Sequence, residues 1–126
     1  MISFEEIEGS RKSTESQLLH EYFEASGSSV LLVREPGSSE FGEKLRSAIL
    51  ESDSEIAPLA EAHLFASSRA QLLSQKILPH LEKENAVVLI DRYLDSSIDY
   101  QASARGLGLQ TILDIHSHAH LATLLN

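Results

Sequence analysis

The sequence predicts an α/β fold of three layers, in which a parallel sheet is flanked by helices. Short apolar runs are typical of buried strands, and the segments between them repeat apolar residues at helical spacing. The predicted strands are Ile2–Ile7, Val30–Val33 and Ala86–Ile90. Strand, loop, helix and strand within about thirty residues predict a βαβ unit. The length of 126 residues suits a single domain spanning the chain.

The predicted helices are bounded by residues that begin or end helices. Gly27 suits the C-terminal cap of the first helix, and Pro58 suits the first turn of the third. Pro79 is expected to kink or end the third helix. Val30–Val33, which is wholly apolar, is expected to be buried on both faces of the sheet. The helices are Lys12–Ala25, Glu40–Leu50, Pro58–Asn85 and Leu109–Leu125.

Composition excludes several classes of function. A net charge of −9 argues against a nucleic-acid-binding protein, which needs a basic face. It leaves room for a small anionic ligand, because a local cluster of arginines and N–H groups outweighs the average charge. The chain has no cysteine, so it has neither disulfides nor a thiolate metal site. We see no signal peptide or membrane span, so the expected location is cytoplasmic, without a membrane partner.

The stretch 6–14 follows the first strand and resembles a phosphate-binding loop. The pattern G-x-x-x-x-G-K-[ST] would place glycine at positions 6 and 11, lysine at 12 and serine at 13. This chain has Lys12 and Ser13 but carries Glu6 and Arg11 in place of the glycines. Two interpretations remain open: an altered phosphate loop, or an ordinary strand–turn–helix with Lys12 in solvent.

Polar residues follow the second and third strands. Arg34 leads into a Pro-Gly turn, and Asp91 and Arg92 follow the third strand. Ligands of open α/β sheets bind outside the carboxyl ends of the strands, so these side chains are candidates for a binding site. Asp91 and Arg92 could equally form a structural ion pair.

Two further groups allow both a functional and a structural interpretation. Phe65 and Arg69 lie four residues apart and therefore share a helix face, which suits recognition of a base. Alternatively, Phe65 is core and Arg69 is a surface residue whose stem lies along the protein. His116 and His120 also share a face, but they are expected to be surface histidines rather than a metal pair.

The motifs occur together in one order: 8–14, Arg34-Glu35-Pro36-Gly37, Phe65-x-x-x-Arg69, and Asp91-Arg92-Tyr93 continuing through Ser96-Ser97 to Tyr100-Gln101. On these residues the chain resembles the thymidylate kinase (dTMP kinase) family from Phe4 to its end. The resemblance implies a P-loop NTPase-type fold. It also implies transfer of the γ-phosphate of ATP to dTMP with Mg²⁺, giving ADP and dTDP, usually by a homodimer.

The resemblance also implies roles on the ATP side of the site. Lys12 would contact the β- and γ-phosphates, and Ser13 would approach Mg²⁺. Asp91 would lie near Mg²⁺ through water, and Arg92 would act with Lys12 and Asp91 in catalysis. The residues expected to bind ATP are Gly9, Ser10, Arg11, Lys12, Ser13 and Thr14.

On the dTMP side, the resemblance implies that Arg34 and Arg92 clamp the acceptor phosphate, while Glu8 faces the sugar and phosphate end. The remaining implied contacts are to the nucleoside. Phe65 would stack on thymine, Arg69 would donate to a base carbonyl, and three more residues would lie at the base, the deoxyribose and the nucleotide: Ser97, Tyr100 and Gln101.

Several residues depart from the family pattern near phosphate positions. Besides Glu6 and Arg11, Ser38 and Ser39 stand in a turn that usually reads Gly-Gly-Thr, and Glu15 stands where Gln is usual. Family members also continue past Asn126 with further strands and an arginine-bearing lid. We therefore expect impaired activity, with two alternatives: a module that binds dTMP but has lost the ATP side, or a fragment that acts through dimer or partner contacts.

Overall fold

The computed structural model describes residues 2–4, 12–91, 102 and 105–117, with backbone only at 3, 4 and 12–14. Strands and helices alternate through the first half of the chain, as predicted. In chain order the elements are β1 (Ile2–Phe4), α1 (Lys12–Ala25), β2 (Ser29–Arg34), α2 (Glu40–Leu50), α3 (Pro58–Leu72), a π-helical turn (Leu73–Ile77), α4 (Leu78–Leu81), β3 (Ala86–Asp91) and α5 (Leu109–Ser117).

The three strands form a parallel sheet in the order β1-β3-β2. Ile2 lies opposite Leu89, so the first and third strands pair directly. The apolar residues of β3 are fully buried from Val88 to Ile90. The prediction that β2 is buried on both faces is wrong, because the side chain of Leu32 is 37% exposed and lines an open cleft.

Proline divides the predicted third helix. Pro58 opens α3 as expected, but the regular helix ends at Leu72 and a π-helical turn precedes Pro79. Proline has no N–H to donate to the preceding turn, and a wider turn accommodates that missing hydrogen bond without ending the helix. Helical structure stops at Leu81, before the predicted end at Asn85.

Two apolar clusters hold the described elements together. The larger one packs α3 and the π-helical turn against β2 and β3, and the smaller one joins α3 to α5 through Ala62 and Ile112, with Ala102. Within the described ranges, no helix has the length and apolar character needed to span a membrane. The members of the larger cluster are Val33, Leu72, Leu73, Ile77, Val88 and Ile90.

Candidate functional site

The carboxyl edge of the sheet brings Arg34 and Asp91 side by side. They are the last residues of β2 and β3 and lie opposite each other in the parallel register. The backbone N–H of Glu35 extends the pairing by donating to the carbonyl of Asp91 at 3.0 Å. An arginine and an aspartate are thereby fixed at the place where open α/β sheets bind ligands.

A cleft of about 390 Å³ opens at this edge, between α1 and the two strand ends. Because α1 begins at Lys12, its first turn precedes the lining residues, and a helix N-terminus favours anions. Arg34 adds a cation to the same cleft, and Asp91 adds a carboxylate. The lining residues are Ser16, Gln17, Leu32, Val33, Arg34, Ser38 and Asp91.

The turn that follows β2 is held by hydrogen bonds to two helices. Gly37 and Ser38 have φ values of 134° and 61°, a region that favours glycine. The N–H of Gly37 donates to the Ser68 hydroxyl of α3 at 3.4 Å. Ser39 caps α2 by accepting from the N–H of Gly42 at 2.9 Å. Because the turn is hydrogen-bonded to α3 and leads into the capped start of α2, its shape depends on the spacing of these two helices.

A buried ion pair ties this turn to α3. The Nε–H of Arg69 donates to a carboxylate oxygen of Glu35, and the two side chains are only 2% and 3% exposed. Burying two charges is costly unless they pair closely. The interpretation of Arg69 as a surface residue is therefore wrong. The turn after β2 and the Phe65–Arg69 segment of α3 therefore form one connected unit.

The neighbouring Arg34 makes a looser pair with α2. Its Nη2 lies 3.7 Å from Oε1 of Glu43, and both side chains are 50% exposed. The same Oε1 accepts the backbone N–H of Ser38 at 3.0 Å, while the Ser38 hydroxyl accepts the N–H of Arg34 at 2.7 Å. Glu43 therefore contacts both ends of the turn.

His116 lies against this unit from α5 and is 2% exposed. Burial, and secondly the positive charge of Arg69, lower the pKa of His116 to about 4, so its ring is neutral at pH 7. The prediction of a surface histidine is wrong, because His116 follows Ile112 by one helical turn and shares its buried face. His120 lies outside the described residues.

The described lining of the cleft includes one carboxylate that could approach a divalent metal, that of Asp91. Mg²⁺ usually keeps several waters and binds one or two carboxylates together with substrate phosphates. The edge therefore suits Mg²⁺ brought with a phosphate ligand. No group of three or more His, Asp or Glu side chains within the described part of the chain could hold a metal ion alone.

The structure describes only part of the predicted site. It brings Arg34 and Asp91 together, and it places Phe65, which is half-buried, one turn before Arg69 on α3. For Lys12, Ser13 and Thr14 it describes only the backbone, at the start of α1. The other predicted site residues lie outside the described residues: Glu8, Gly9, Ser10, Arg11, Arg92, Ser97, Tyr100 and Gln101.

Sequence reasoning missed the residues that hold the turn. Ser39 could have been found, because serine before a helix is a common N-cap. Glu35 stands inside the recognised Arg-Glu-Pro-Gly segment, but nothing in the sequence pairs it with Arg69, 34 positions away. Ser68 carries no local signal, because its contact with Gly37 arises only when α3 packs against the turn. Glu43 stands in the first turn of α2, where acidic residues are common in any helix, so the sequence does not show its contact with Ser38.

A parallel sheet flanked by helices, with a cation and a carboxylate at its carboxyl edge, is the architecture of α/β proteins whose ligands bind at that edge. A sequence model described as thymidylate kinase matches residues 4–124. The chain belongs to the thymidylate kinase family, whose members are ATP:dTMP phosphotransferases that use Mg²⁺.

Individual relatives agree with this membership. Thymidylate kinase from Thermoanaerobacter sp. (strain X514) is 45% identical over 98% of this chain and 60% of its own length. That from Caldanaerobacter subterraneus subsp. tengcongensis is 48% identical over 88% of this chain and 53% of its own. The crystal structure of thymidylate kinase from Ehrlichia chaffeensis superposes with a TM-score of 0.84 at 31% identity, covering 94% of this chain and 66% of that one. The chain thus spans a little over half the length of these two sequence relatives.

Proposed function

We propose that this chain forms the dTMP-binding part of an enzyme that transfers the γ-phosphate of ATP to dTMP, giving ADP and dTDP for dTTP synthesis. The observation that carries the proposal is the meeting of Arg34 and Asp91 beside the opening turns of α1. Phosphoryl transfer needs little covalent chemistry from the protein but accurate positioning and neutralisation of charge. A cation and a carboxylate on adjacent strand ends suit both requirements.

On the acceptor side, Arg34 binds the phosphate of dTMP. Its planar guanidinium can donate two parallel hydrogen bonds to a phosphate, and its half-exposed side chain lines the cleft. Arg92, the next residue in the sequence after β3, would bind the same phosphate. Phe65 stacks on the base, and Arg69 donates to a base carbonyl through its terminal amino groups, since Nε is held by Glu35.

On the donor side, Lys12 and Ser13 open α1, where a helix N-terminus favours the phosphates of ATP. Ser13 and Asp91 would hold Mg²⁺, Asp91 through water. When bound, Mg²⁺ neutralises charge on the transferred phosphate. Asp91, which lies opposite Arg34 at the sheet edge, would therefore help to hold the cation.

Calorimetry with dTMP and with thymidine tests the acceptor side. Arg34→Met should weaken dTMP binding by about tenfold or more, because it removes a charge-assisted contact to phosphate. Thymidine, which lacks the phosphate, should bind both proteins equally. Equal binding of dTMP by the two proteins would contradict the role of Arg34.

A coupled assay of ADP release with ATP and dTMP tests turnover, with Lys12→Ala as the control. Turnover by the chain that exceeds the control supports the full reaction. A rate no higher than that of Lys12→Ala would leave the chain without the proposed activity.

A second candidate is a module that binds dTMP without turning over ATP. It is favoured by Glu6 and Arg11, which stand where the phosphate-loop pattern requires glycine. It predicts dTMP binding without measurable ATP binding. The double variant Glu6→Gly, Arg11→Gly should then recover ATP binding, and unchanged ATP binding would argue against this candidate.

We also propose that the chain acts as a homodimer. Large apolar side chains on α2 and α3 are exposed, including Phe41, Leu50 and Leu59. Burying these side chains against a second copy would remove apolar area from water. Sedimentation equilibrium measures the mass directly, and a monomer over the full concentration range would contradict the proposal.

A further inference from the structure

Glu43 reaches back from the first turn of α2 to the turn that follows β2. One carboxylate oxygen, Oε1, accepts the backbone N–H of Ser38 at 3.0 Å and lies 3.7 Å from Nη2 of Arg34. A Cβ placed on Gly37 would lie 2.5 Å from that oxygen. The glycine therefore leaves the space that the carboxylate occupies, and a larger residue at 37 would displace it.

These contacts close a ring between backbone and side chains. The N–H of Arg34 donates to the Ser38 hydroxyl, the N–H of Ser38 donates to Glu43, and Glu43 lies beside the Arg34 guanidinium. One carboxylate thereby contacts both the backbone of the turn and the Arg34 side chain. Glu43 itself is fixed by the position of α2.

An alternative explanation for Glu43 is the helix dipole, which favours acidic residues in the first turn of any helix. Glu40 occupies that turn too, but its side chain pairs with Lys44 at 3.2 Å. Two glutamates of one turn therefore differ in whether they contact the site. This difference makes Glu40 a matched control for the charge and helix position of Glu43.

We propose that Glu43 is a positioning residue for Arg34 in binding the acceptor phosphate. The inference rests on the proposed function in one respect, that Arg34 contacts this phosphate. A free arginine side chain samples many rotamers, and ordering it on binding costs affinity. Glu43 restricts that sampling before the ligand arrives. The pair is exposed and loose, so the guanidinium can still turn its donors to an incoming phosphate.

The first measurement is the order of the Arg34 Nε–H by ¹⁵N NMR relaxation on the protein without ligand. Wild type and Glu40→Ala should show a restricted Arg34 side chain. Glu43→Ala should show a mobile one, and Glu43→Gln an intermediate one, because its amide oxygen still accepts the Ser38 N–H without the charge. A side chain equally mobile in all four proteins would overturn the inference, whether or not any nucleotide binds.

The second measurement is calorimetry with dTMP and thymidine. Glu43→Ala should weaken dTMP binding by up to about fivefold, the upper limit for losing an exposed ion pair that orders a charged group, and leave thymidine binding unchanged. Glu43→Gln should recover most of the dTMP affinity, and Glu40→Ala should match wild type. Equal losses for dTMP and thymidine in Glu43→Ala would assign Glu43 a structural role and overturn the inference.

The two measurements separate this inference from the proposed function. If wild type binds neither dTMP nor thymidine while Arg34 is ordered by Glu43, the proposed function fails and the positioning of Arg34 stands. If dTMP binds tightly but Glu43→Ala changes neither Arg34 order nor affinity, the inference fails and the proposed function stands.

Discussion

Two arginine–glutamate pairs meet at the turn after β2, and they use adjacent residues of the chain. Arg34 pairs with Glu43 of α2, and Glu35 pairs with Arg69 of α3. The first pair is half-exposed and its closest atoms are 3.7 Å apart. The second is almost completely buried, with a direct Nε–H hydrogen bond. One turn therefore carries a solvated pair and a desolvated pair.

Because the two pairs differ in burial, Arg34 can change its partner, whereas Arg69 is held by Glu35. An exposed pair contributes about 0–1 kcal/mol, so a ligand phosphate can replace Glu43 as the partner of Arg34 at little cost. Removing one member of a buried pair leaves a charge without solvent or counter-ion, and the rest of the structure resists that change. The buried pair therefore fixes the geometry in which the exposed pair operates.

Breaking the buried pair should give the largest effect. Glu35→Leu leaves the Arg69 charge buried without this carboxylate, and the free energy of unfolding should fall by about 3–5 kcal/mol. The same replacement in the exposed pair, Glu43→Leu, should cost about 1 kcal/mol or less. Urea denaturation of the two variants measures the difference. Similar losses would show that burial does not distinguish the pairs.

The double variant Glu35→Leu, Arg69→Met then separates stability from binding. Well-packed apolar residues of similar volume often replace a buried ion pair without loss, so much of the stability should return. Under the proposed function, dTMP affinity should not return with it. A double variant as unstable as Glu35→Leu would show that the destabilisation does not come from the uncompensated charge.

Acid should lower the free energy of unfolding through His116, which is buried beside Arg69 of the buried pair. Its pKa is near 6.5 in the unfolded chain and about 4 in the folded protein, so the unfolded state binds the extra proton between these values. Stability contributed by the neutral ring is complete above pH 6.5 and is lost as pH falls toward 4. At pH 5 the loss should be about 2 kcal/mol relative to pH 8.

His116→Leu tests this titration. Among the described residues, neither ring nitrogen of His116 has a hydrogen-bond partner, so the apolar replacement removes the titration without breaking a hydrogen bond. Urea midpoints at pH 5 and pH 8 should differ less in the variant than in wild type. The same pH dependence in both proteins would assign the acid sensitivity to other groups.

The sequence predicted the helices and strands that short-range patterns of apolar residues determine. The limits of α1 and α2 followed from apolar spacing, and the apolar run Ala86–Ile90 identified β3 as a strand. The strand ends correctly placed Arg34 and Asp91 at one edge, because parallel strands end together. These features depend on short-range patterns, which a single sequence contains.

The features that sequence missed arise from packing between distant segments. Glu35 and Arg69 are separated by most of α2 and α3, so a motif could mark the two residues but not their pairing. The exposure of Leu32 depends on the cleft beside α1, and the burial of His116 depends on α5 docking against α3. The π-helical turn before Pro79 arises because the helix continues although proline has no N–H to donate to the preceding turn.

Gly42 allows α2 to lie close to the turn after β2 and to α3, which carry the two arginine–glutamate pairs. A Cβ there would lie 2.8 Å from Oγ of Ser68, 2.9 Å from Oγ of Ser39 and 3.0 Å from the carbonyl of Gly37. Gly42→Ala should lower the free energy of unfolding by about 1–3 kcal/mol, although alanine is the better helix former. Ser47→Ala, on the exposed side of α2, is the control and should be neutral or slightly stabilising. A stabilised Gly42→Ala protein would mean that α2 moves away from the turn freely.

The smallest expected effects are at Ser38, which makes one hydrogen bond to each member of the exposed pair. Its φ of 61° costs a residue with a Cβ about 1–2 kcal/mol, but its hydroxyl accepts the N–H of Arg34 at 2.7 Å. Ser38→Ala keeps the strain and loses the hydrogen bond, so stability should fall by about 1 kcal/mol. Ser38→Gly loses the same hydrogen bond but also removes the backbone strain. Glycine makes the unfolded state more flexible, which offsets part of that gain, so the free energy of unfolding should lie within about 0.5 kcal/mol of the wild-type value. Urea midpoints of the three proteins rank these effects. If alanine matched serine, the hydroxyl would not stabilise the turn, and the ring around Arg34 would depend on Glu43 alone.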